Sequence, residues 1–398
     1  MDALTTPLPK DWEAVKVEDI FEIITDFSAA GSFAQQSQMV QYTNDRTNYA
    51  QLIRTTELKN GFNNTNAIYI NKEAFEFLWR VNLNSDAIIL PNIGINCGEI
   101  YYVDIKKLIH KHNALAPNAI LLRTKKANLK FLFYAFLDTW FQKQLINIIT
   151  SSAQPKFTKT DLRDLLIPLP PLNEQIAIAN ILSDLDRYLC ALDALILKKE
   201  GVKKSLSFEL LSQRKRLKGF NQAWQRVRLG DICEITTGSL DANEMVHYGK
   251  YRFYTCAKEY YFIDKYAFDT EAILISGNGA YVGYVHYYKG KFNAYQRTYV
   301  LDNFGEHIIF VKYFLTMFLQ SHIQTNRNEG NTPYIVMATL KDFEIPLPPL
   351  NEQIAIANIL SDLDNEIASL KNKKRQFENI KKALNHDLMS AKIRVLEK

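Results

Sequence analysis

The sequence predicts an α+β protein: two mixed α/β globular domains and two long helices packed as an antiparallel coiled coil, forming a pseudo-two-fold internal repeat. Three observations predict it. Residues 167–186, Ile-Pro-Leu-Pro-Pro-Leu-Asn-Glu-Gln onward, recur without change as residues 345–364. Each copy continues into apolar residues spaced three and four apart, the rhythm of a helical seam rather than of a strand. Ahead of each copy lie short apolar runs that end in glycine turns, which read as strands.

The two copies set the order of elements. Pro168, Pro170, Pro171 and Pro346, Pro348, Pro349 keep the chain extended until a helix can begin. Asn173 or Asn351 can then cap free N–H groups, and Glu174 or Glu352 places a carboxylate in the first turn, where the helix dipole favours it. Leu182, Leu185, Leu189, Leu192 and Ile196 form the first seam. Leu360, Leu363, Ile367 and Leu370 form the second, with Phe377, Leu384 and Leu388 continuing it loosely. Each seam needs an apolar partner, and the nearest is the other. A helix over residues 172–217 would be roughly 70 Å long.

The globular parts also match each other. Trp12 and Val17-Glu-Asp-Ile-Phe-Glu-Ile23 correspond to Trp224 and Leu229-Gly-Asp-Ile-Cys-Glu-Ile235 at an offset of 212. Ala87, Gly94 and Gly98 correspond to Ala272, Gly279 and Gly283 at an offset of 185, so the first half carries 27 extra residues between Ile23 and Ala87. From Phe136 and Phe314 onward the offset is 178. Residues 86–91 and 271–276 read as buried strands, and residues 281–288 as a half-exposed strand after a glycine turn. Residues 131–145 and 308–320 read as short helices. The domains expected are 1–166 and 219–344, with the helical regions at 167–218 and 345–398.

Composition narrows the class. With 398 residues, 47% of them hydrophobic, the chain can bury more than one core. A net charge of +5 permits a polyanionic partner without identifying one. Cys97, Cys190, Cys233 and Cys256 show no C-x-x-C spacing, which suggests neither a zinc site nor a disulfide framework. The start of the chain is polar, and the best apolar runs, 131–141 and 308–319, are interrupted by Asp138 and Lys312. A cytoplasmic protein away from membranes is expected.

Catalytic signatures are missing from the sequence. It has no G-x-x-x-x-G-K-[ST] loop, and its seven histidines make no metal-ligand pattern. Gly277-Asn-Gly-Ala-Tyr-Val-Gly283 is followed by alternating aromatic and β-branched residues, so a hairpin is expected there rather than a cofactor loop. Basic, amide and aromatic residues instead interleave in both halves, the types that meet phosphates and base edges. In the second half these are Arg252, Lys258, Tyr260, Asn278, Tyr281, Lys289, Lys291, Asn293, Tyr295, Gln296 and Arg297. In the first they are Arg46, Arg54, Lys59, Asn63, Asn64, Asn92, Asn96, Arg123, Lys125 and Lys126.

The doubled I-P-L-P-P-L-N-E-Q junction, the opening Trp224 with Leu229-Gly-Asp-Ile-Cys-Glu-Ile235, and the alternation of globular half and long helix resemble the specificity subunits of type I restriction-modification systems. The resemblance covers the whole chain. It implies that each globular half is a target recognition domain reading half of a split DNA sequence, with the helices as a spacer. It also implies two methyltransferase subunits as partners, bound at the repeated junctions Pro171, Glu174, Gln175 and Pro349, Glu352, Gln353, and restriction subunits bound through them. S-adenosylmethionine is then expected in the methyltransferase partner and no cofactor in this chain, which lacks the N-P-P-[YF] motif of adenine methyltransferases. The chain would be a non-catalytic subunit. The first half departs from the pattern, opening with Val17-Glu-Asp-Ile in place of the glycine-containing form. A stand-alone DNA-binding protein clamping two half-sites is the other reading of the same residues.

Overall fold

A computed structural model describes residues 8–62, 65–150, 153–326 and 333–395. The chain divides into two compact units, Met1–Ala191 with Lys374–Lys398, and Leu192–Lys373. Each unit therefore holds a globular part together with a segment from each of the two long helices, Leu172–Leu211 and Leu350–Met389.

The first unit opens with the strand Glu13–Lys16, paired antiparallel with Leu166–Leu169 directly before the first long helix. A two-stranded ribbon has only edges, so Pro168 sits in it without breaking a central ladder. Four antiparallel strands follow in the order Ile23–Asp26, Ala119–Arg123, Ala87–Pro91, Tyr101–Val103. A separate three-stranded sheet joins Ile68–Ile70, Ala50–Ile53 and Asn113–Leu115. Its core, around Leu52, Ile70, Leu78 and Leu121, is distinct from the larger one. The larger core packs Phe131, Phe136 and Phe141 against Ile178, Ala179 and Leu182 of the first long helix and Leu388 and Met389 of the second.

The second unit repeats the plan with one sheet in place of two. Gln225–Arg228 pairs with Glu344–Leu347 before the second long helix. Six strands run in the order Glu234–Thr237, Thr298–Asp302, Phe268–Ser276, Val285–Ala294, Tyr251–Tyr254, Tyr261–Ile263. The ten-residue strand Val285–Ala294 holds both parts of this sheet together. In the first unit the same run is broken into Tyr101–Val103 and Asn113–Leu115, which is why two sheets appear there. Ile273, Ile275 and Leu301 face a core containing Ile356, Ala357 and Leu360 of the second long helix and Leu210 and Leu211 of the first. Ala272 and Leu274, pointing the other way by strand alternation, join Tyr254, Phe292, Ala294 and Val300 in a small outer cluster.

Within each unit the helix segments run antiparallel, and the expected seams are buried or half-buried. Tyr188 packs against Phe377 with the rings tilted and their centroids 4.8 Å apart in the first unit. In the second, Lys199 meets Glu366 at 2.7 Å and Glu200 meets Lys371 at 2.6 Å. Leu192, Ile196 and Ile367 are buried, and Leu185, Leu189, Leu363 and Leu370 are half-buried. Leu182 and Leu360 belong instead to the domain cores, each gaining roughly 1.5–3 kcal/mol from burial.

Several expectations need correction. The first long helix ends at Leu211 rather than near 217: Gln213 adopts φ 62° and Lys215 N–H reaches back to Glu209 O at 3.1 Å, a left-handed termination. The second helix ends identically, with Ala391 at φ 54° and Ile393 N–H on Asp387 O. Both helices start at Leu172 and Leu350, so Asn173 and Asn351 lie inside them; the Asn351 side chain still accepts from Glu352 N–H at 2.9 Å, and the carbonyls of Pro171 and Pro349 accept from Gln175 and Gln353. Residues 131–145 fall in two helices, Leu129–Leu137 and Thr139–Ile148, because the Asp138 side chain caps the second at Trp140 N. The strand expected from residue 281 starts at Val285. Gly279 and Gly283, both at φ 80°, turn the chain in a loop closed by Gly283 N–H on Ser276 O at 2.7 Å.

Candidate functional site

Two kinds of site come from the sequence: the repeated helix junctions and the basic-aromatic residues of the globular parts. At the first junction Glu174 is buried at the start of its helix. Trp12 donates its indole N–H to Glu174 Oε2 at 3.2 Å, while Arg394 approaches the same carboxylate with Nε at 2.7 Å and a terminal nitrogen at 2.9 Å. The Arg394 guanidinium lies over the Trp12 ring and also pairs with Asp11. These two carboxylates push the arginine well above its ordinary pKa.

The second unit repeats this triad. Trp224 donates to Glu352 Oε2 at 3.1 Å, and Arg216 holds the carboxylate at 2.9 and 2.8 Å. Gln175 and Gln353 are buried as well: each donates to a proline carbonyl, Pro170 O or Pro348 O, at 2.8 Å. They accept in turn from Asn128 N–H at 2.9 Å and His307 N–H at 3.0 Å. About three helical turns further on, Tyr134 donates to Asp186 at 2.6 Å and Tyr313 to Asp364 at 2.7 Å. Lys381 and Lys203 pair with those aspartates. Burial, then the adjacent carboxylate, raises both tyrosine pKa values.

Identity between the copies therefore has two parts. The buried members, Glu174, Gln175, Glu352 and Gln353, are fully occupied inside the chain. Other identical members face outward: Leu172 is 55% and Ile176 43% exposed, matched by Leu350 at 52% and Ile354 at 39%. Asn173, Asn180, Asn351 and Asn358 are exposed beside them, as is Pro171, while Pro349 is half-buried.

The basic-aromatic residues separate by whether their donors are already engaged. In the first unit most are. Arg54 forks onto Glu57 at 2.6 and 3.0 Å and onto Asn66 O. Lys59 bonds Asn96 at 2.6 Å and Glu99 at 2.7 Å. Asn92 donates to Phe157 O, Lys126 to Asp19 O, and Arg123 to the carbonyls of Asn82, Ser85 and Asp86. Arg46 and Lys125 are exposed, and Asn63 and Asn64 lie outside the described residues. Sequence reasoning passed over Phe33 and Trp79, which are exposed here, with Arg80 Cζ 5.0 Å from the Trp79 ring centroid. The signal available was their position between Ile23 and Ala87, the interval that holds the first half's 27-residue excess.

In the second unit the structure gathers a subset. Arg252 lies between the rings of Tyr260 and Tyr288, and Lys258 lies 5.3 Å from the Tyr281 ring centroid. His286, whose pKa burial lowers, bonds Ala257 O at 2.9 Å beside them. Gln296 and Arg297 are exposed, and the Arg297 carbonyl accepts from Gly277 N–H at the base of the glycine loop. Asn278 is bridged to Tyr334. Lys289 and Lys291 are not part of this group: alternation along Val285–Ala294 sets them opposite to Tyr288, where they pair with Glu271 at 2.9 Å and Asp269 at 3.9 Å. Asn293 is buried and Tyr295 half-buried.

Among the described residues, no group of three or more His, Cys, Asp or Glu could hold a metal ion, and no helix is long and apolar enough to cross a membrane.

Comparison with known proteins agrees with this plan. The profile of a family described as "Type I restriction modification DNA specificity domain" matches residues 9–199 and 221–379. The EcoDI type I restriction enzyme specificity subunit of Escherichia coli is 40% identical over 162 residues, 40% of this chain and 35% of that protein. A putative type I specificity subunit of Methanocaldococcus jannaschii, MjaX, is 28% identical over 98% of this chain and 95% of its own length. The crystal structure of the type I system S subunit from M. genitalium superposes with a TM-score of 0.63 at 18% identity, covering 97% of this chain and 98% of that one.

Proposed function

Because the chain belongs to the type I restriction modification DNA specificity family, as a specificity subunit, we propose that it reads a bipartite duplex target and scaffolds two methyltransferase subunits. In this reading the globular parts within 1–166 and 219–344 are the target recognition domains, one for each half-site. The chain does no chemistry. It places a methyltransferase subunit, the holder of S-adenosylmethionine, over each half-site, and restriction subunits join through those subunits.

One observation carries the scaffolding: the outward-facing residues Leu172, Asn173, Ile176 and Asn180 are identical to Leu350, Asn351, Ile354 and Asn358. Packing accounts for the identity of the buried glutamates and glutamines, which hold the same partners in both units. It does not account for exposed leucine and isoleucine kept the same twice. A repeated surface binds a repeated partner, as a pseudo-two-fold protein does. On the DNA side, the second unit turns cationic and aromatic side chains to its outer face, the types that meet phosphates and base edges.

Native mass spectrometry of the chain with its methyltransferase tests the scaffold. Two copies should bind the unaltered chain, one should bind each of Ile176→Arg and Ile354→Arg, and none the double variant. Two copies retained by the double variant would overturn the assignment of this surface. Specific DNA binding by the chain with no methyltransferase bound at all would favour the stand-alone clamp.

A further inference from the structure

Arg252 differs from four arginines that the fold uses as ties. Arg54, Arg123, Arg216 and Arg394 have their guanidinium donors filled by carboxylates or carbonyls. Arg252 is half-buried, and among the described residues no carboxylate pairs with it. Its one side-chain hydrogen bond among the described residues is a long contact, 3.4 Å, to the Tyr254 hydroxyl. A guanidinium carries five N–H donors in a planar fork, so most of this one's capacity is open.

Its position is nevertheless fixed. Cζ lies 4.2 Å from the Tyr260 ring centroid and 4.4 Å from that of Tyr288, so two aromatic faces hold the group. Strand pairing sets Arg252 beside Phe262 on one side and Phe292 on the other. Tyr254, Tyr288 and Phe292 all belong to the outer cluster of the sheet, on the face turned away from the core that contains the long helices. Partial desolvation without a counter-charge is costly, and a preformed fork with free donors suits a planar acceptor pair arriving from outside.

We propose that Arg252 is the guanine-reading residue of the second unit, presenting its fork to O6 and N7 of one guanine in the major groove. Paired acceptors on a single base edge are what a held guanidinium matches best. Tyr260 and Tyr288 act as positioning residues that set the plane of the fork. The inference rests on the reading of the second unit as a DNA-recognition domain and names the base it selects.

The test uses the chain assembled with its methyltransferase subunits, mapping methylated motifs in a host that carries the unaltered chain or R252Q. One G·C position should become degenerate in R252Q, in one half-site, with the other half-site and the gap unchanged. An unchanged motif would overturn the proposal, and so would a uniform loss across all sites, the mark of a phosphate contact. No motif from the unaltered chain would overturn the recognition reading beneath it. A second arm needs no variant. The unaltered complex is titrated with duplexes bearing 7-deazaguanine singly at each guanine of the motif, which removes only N7. Binding should weaken about tenfold at one guanine. Binding within about twofold of the natural duplex at every guanine would contradict the proposal.

Discussion

Arg394 grips the Glu174 carboxylate at both oxygens although 220 residues separate them, and Arg216 grips Glu352 the same way across 136. Each pair ties the residues following one long helix to the first turn of the other, within a single unit. Each glutamate also accepts an indole N–H, so deleting it leaves an arginine and a tryptophan donor unmatched. Glu352→Ala should cost about 2–4 kcal/mol, below the full value for a buried pair because Arg216 is partly exposed. Urea denaturation measures it. A loss under about 1 kcal/mol would mean the triad adds little.

Tyr134→Phe and Tyr313→Phe remove equivalent hydrogen bonds to Asp186 and Asp364. Each should lower stability by about 1–2 kcal/mol, since the acceptors are charged. Similar losses in the two variants are expected from the repeated geometry. A large loss in only one would show that the units use this contact differently.

The two faces of the junction helix should respond in opposite ways. Leu360→Ala opens a cavity in a core where the side chain is wholly buried and should cost about 3 kcal/mol. Leu350→Ala, on the exposed face, should change stability by no more than about 0.5 kcal/mol while weakening methyltransferase binding. Thermal melting and a pull-down with the methyltransferase subunit separate the two effects.

His286 gives the second unit an acid-side weakness. Burial holds its pKa below the usual 6.5, opposed by the bond to Ala257 O. Between the lowered value and 6.5 the unfolded chain binds the extra proton, so stability is complete above pH 6.5 and declines as pH falls below it. The decline ends once the folded protein is also protonated. Denaturation midpoints of the unaltered chain and His286→Gln, measured from pH 7.5 downward, should diverge below pH 6.5, with the variant the flatter. Parallel curves would contradict this.

The long helices, the paired junctions and the glycine hairpin were legible because each depends on neighbours in sequence: a spacing, a proline, a turn. The triads were not. Arg216 and Arg394 look like any other basic residues following a helix until folding brings a glutamate from the opposite helix start to them. The recognition candidates were legible by type alone. Arg54 and Arg252 are equivalent on paper, but Glu57, three residues away and buried, occupies the first, while only aromatic rings surround the second. The same applies to Lys289, which strand alternation turns away from the face that Arg252 occupies.

Under the proposed function, this chain supplies sequence specificity to methyltransferase subunits. Long-read methylation mapping of a host that expresses those subunits, with and without this chain, tests it most directly. A methylated motif in two parts with a fixed gap is expected, present only when the chain is expressed. No new motif, with the partner expressed and soluble, would contradict it.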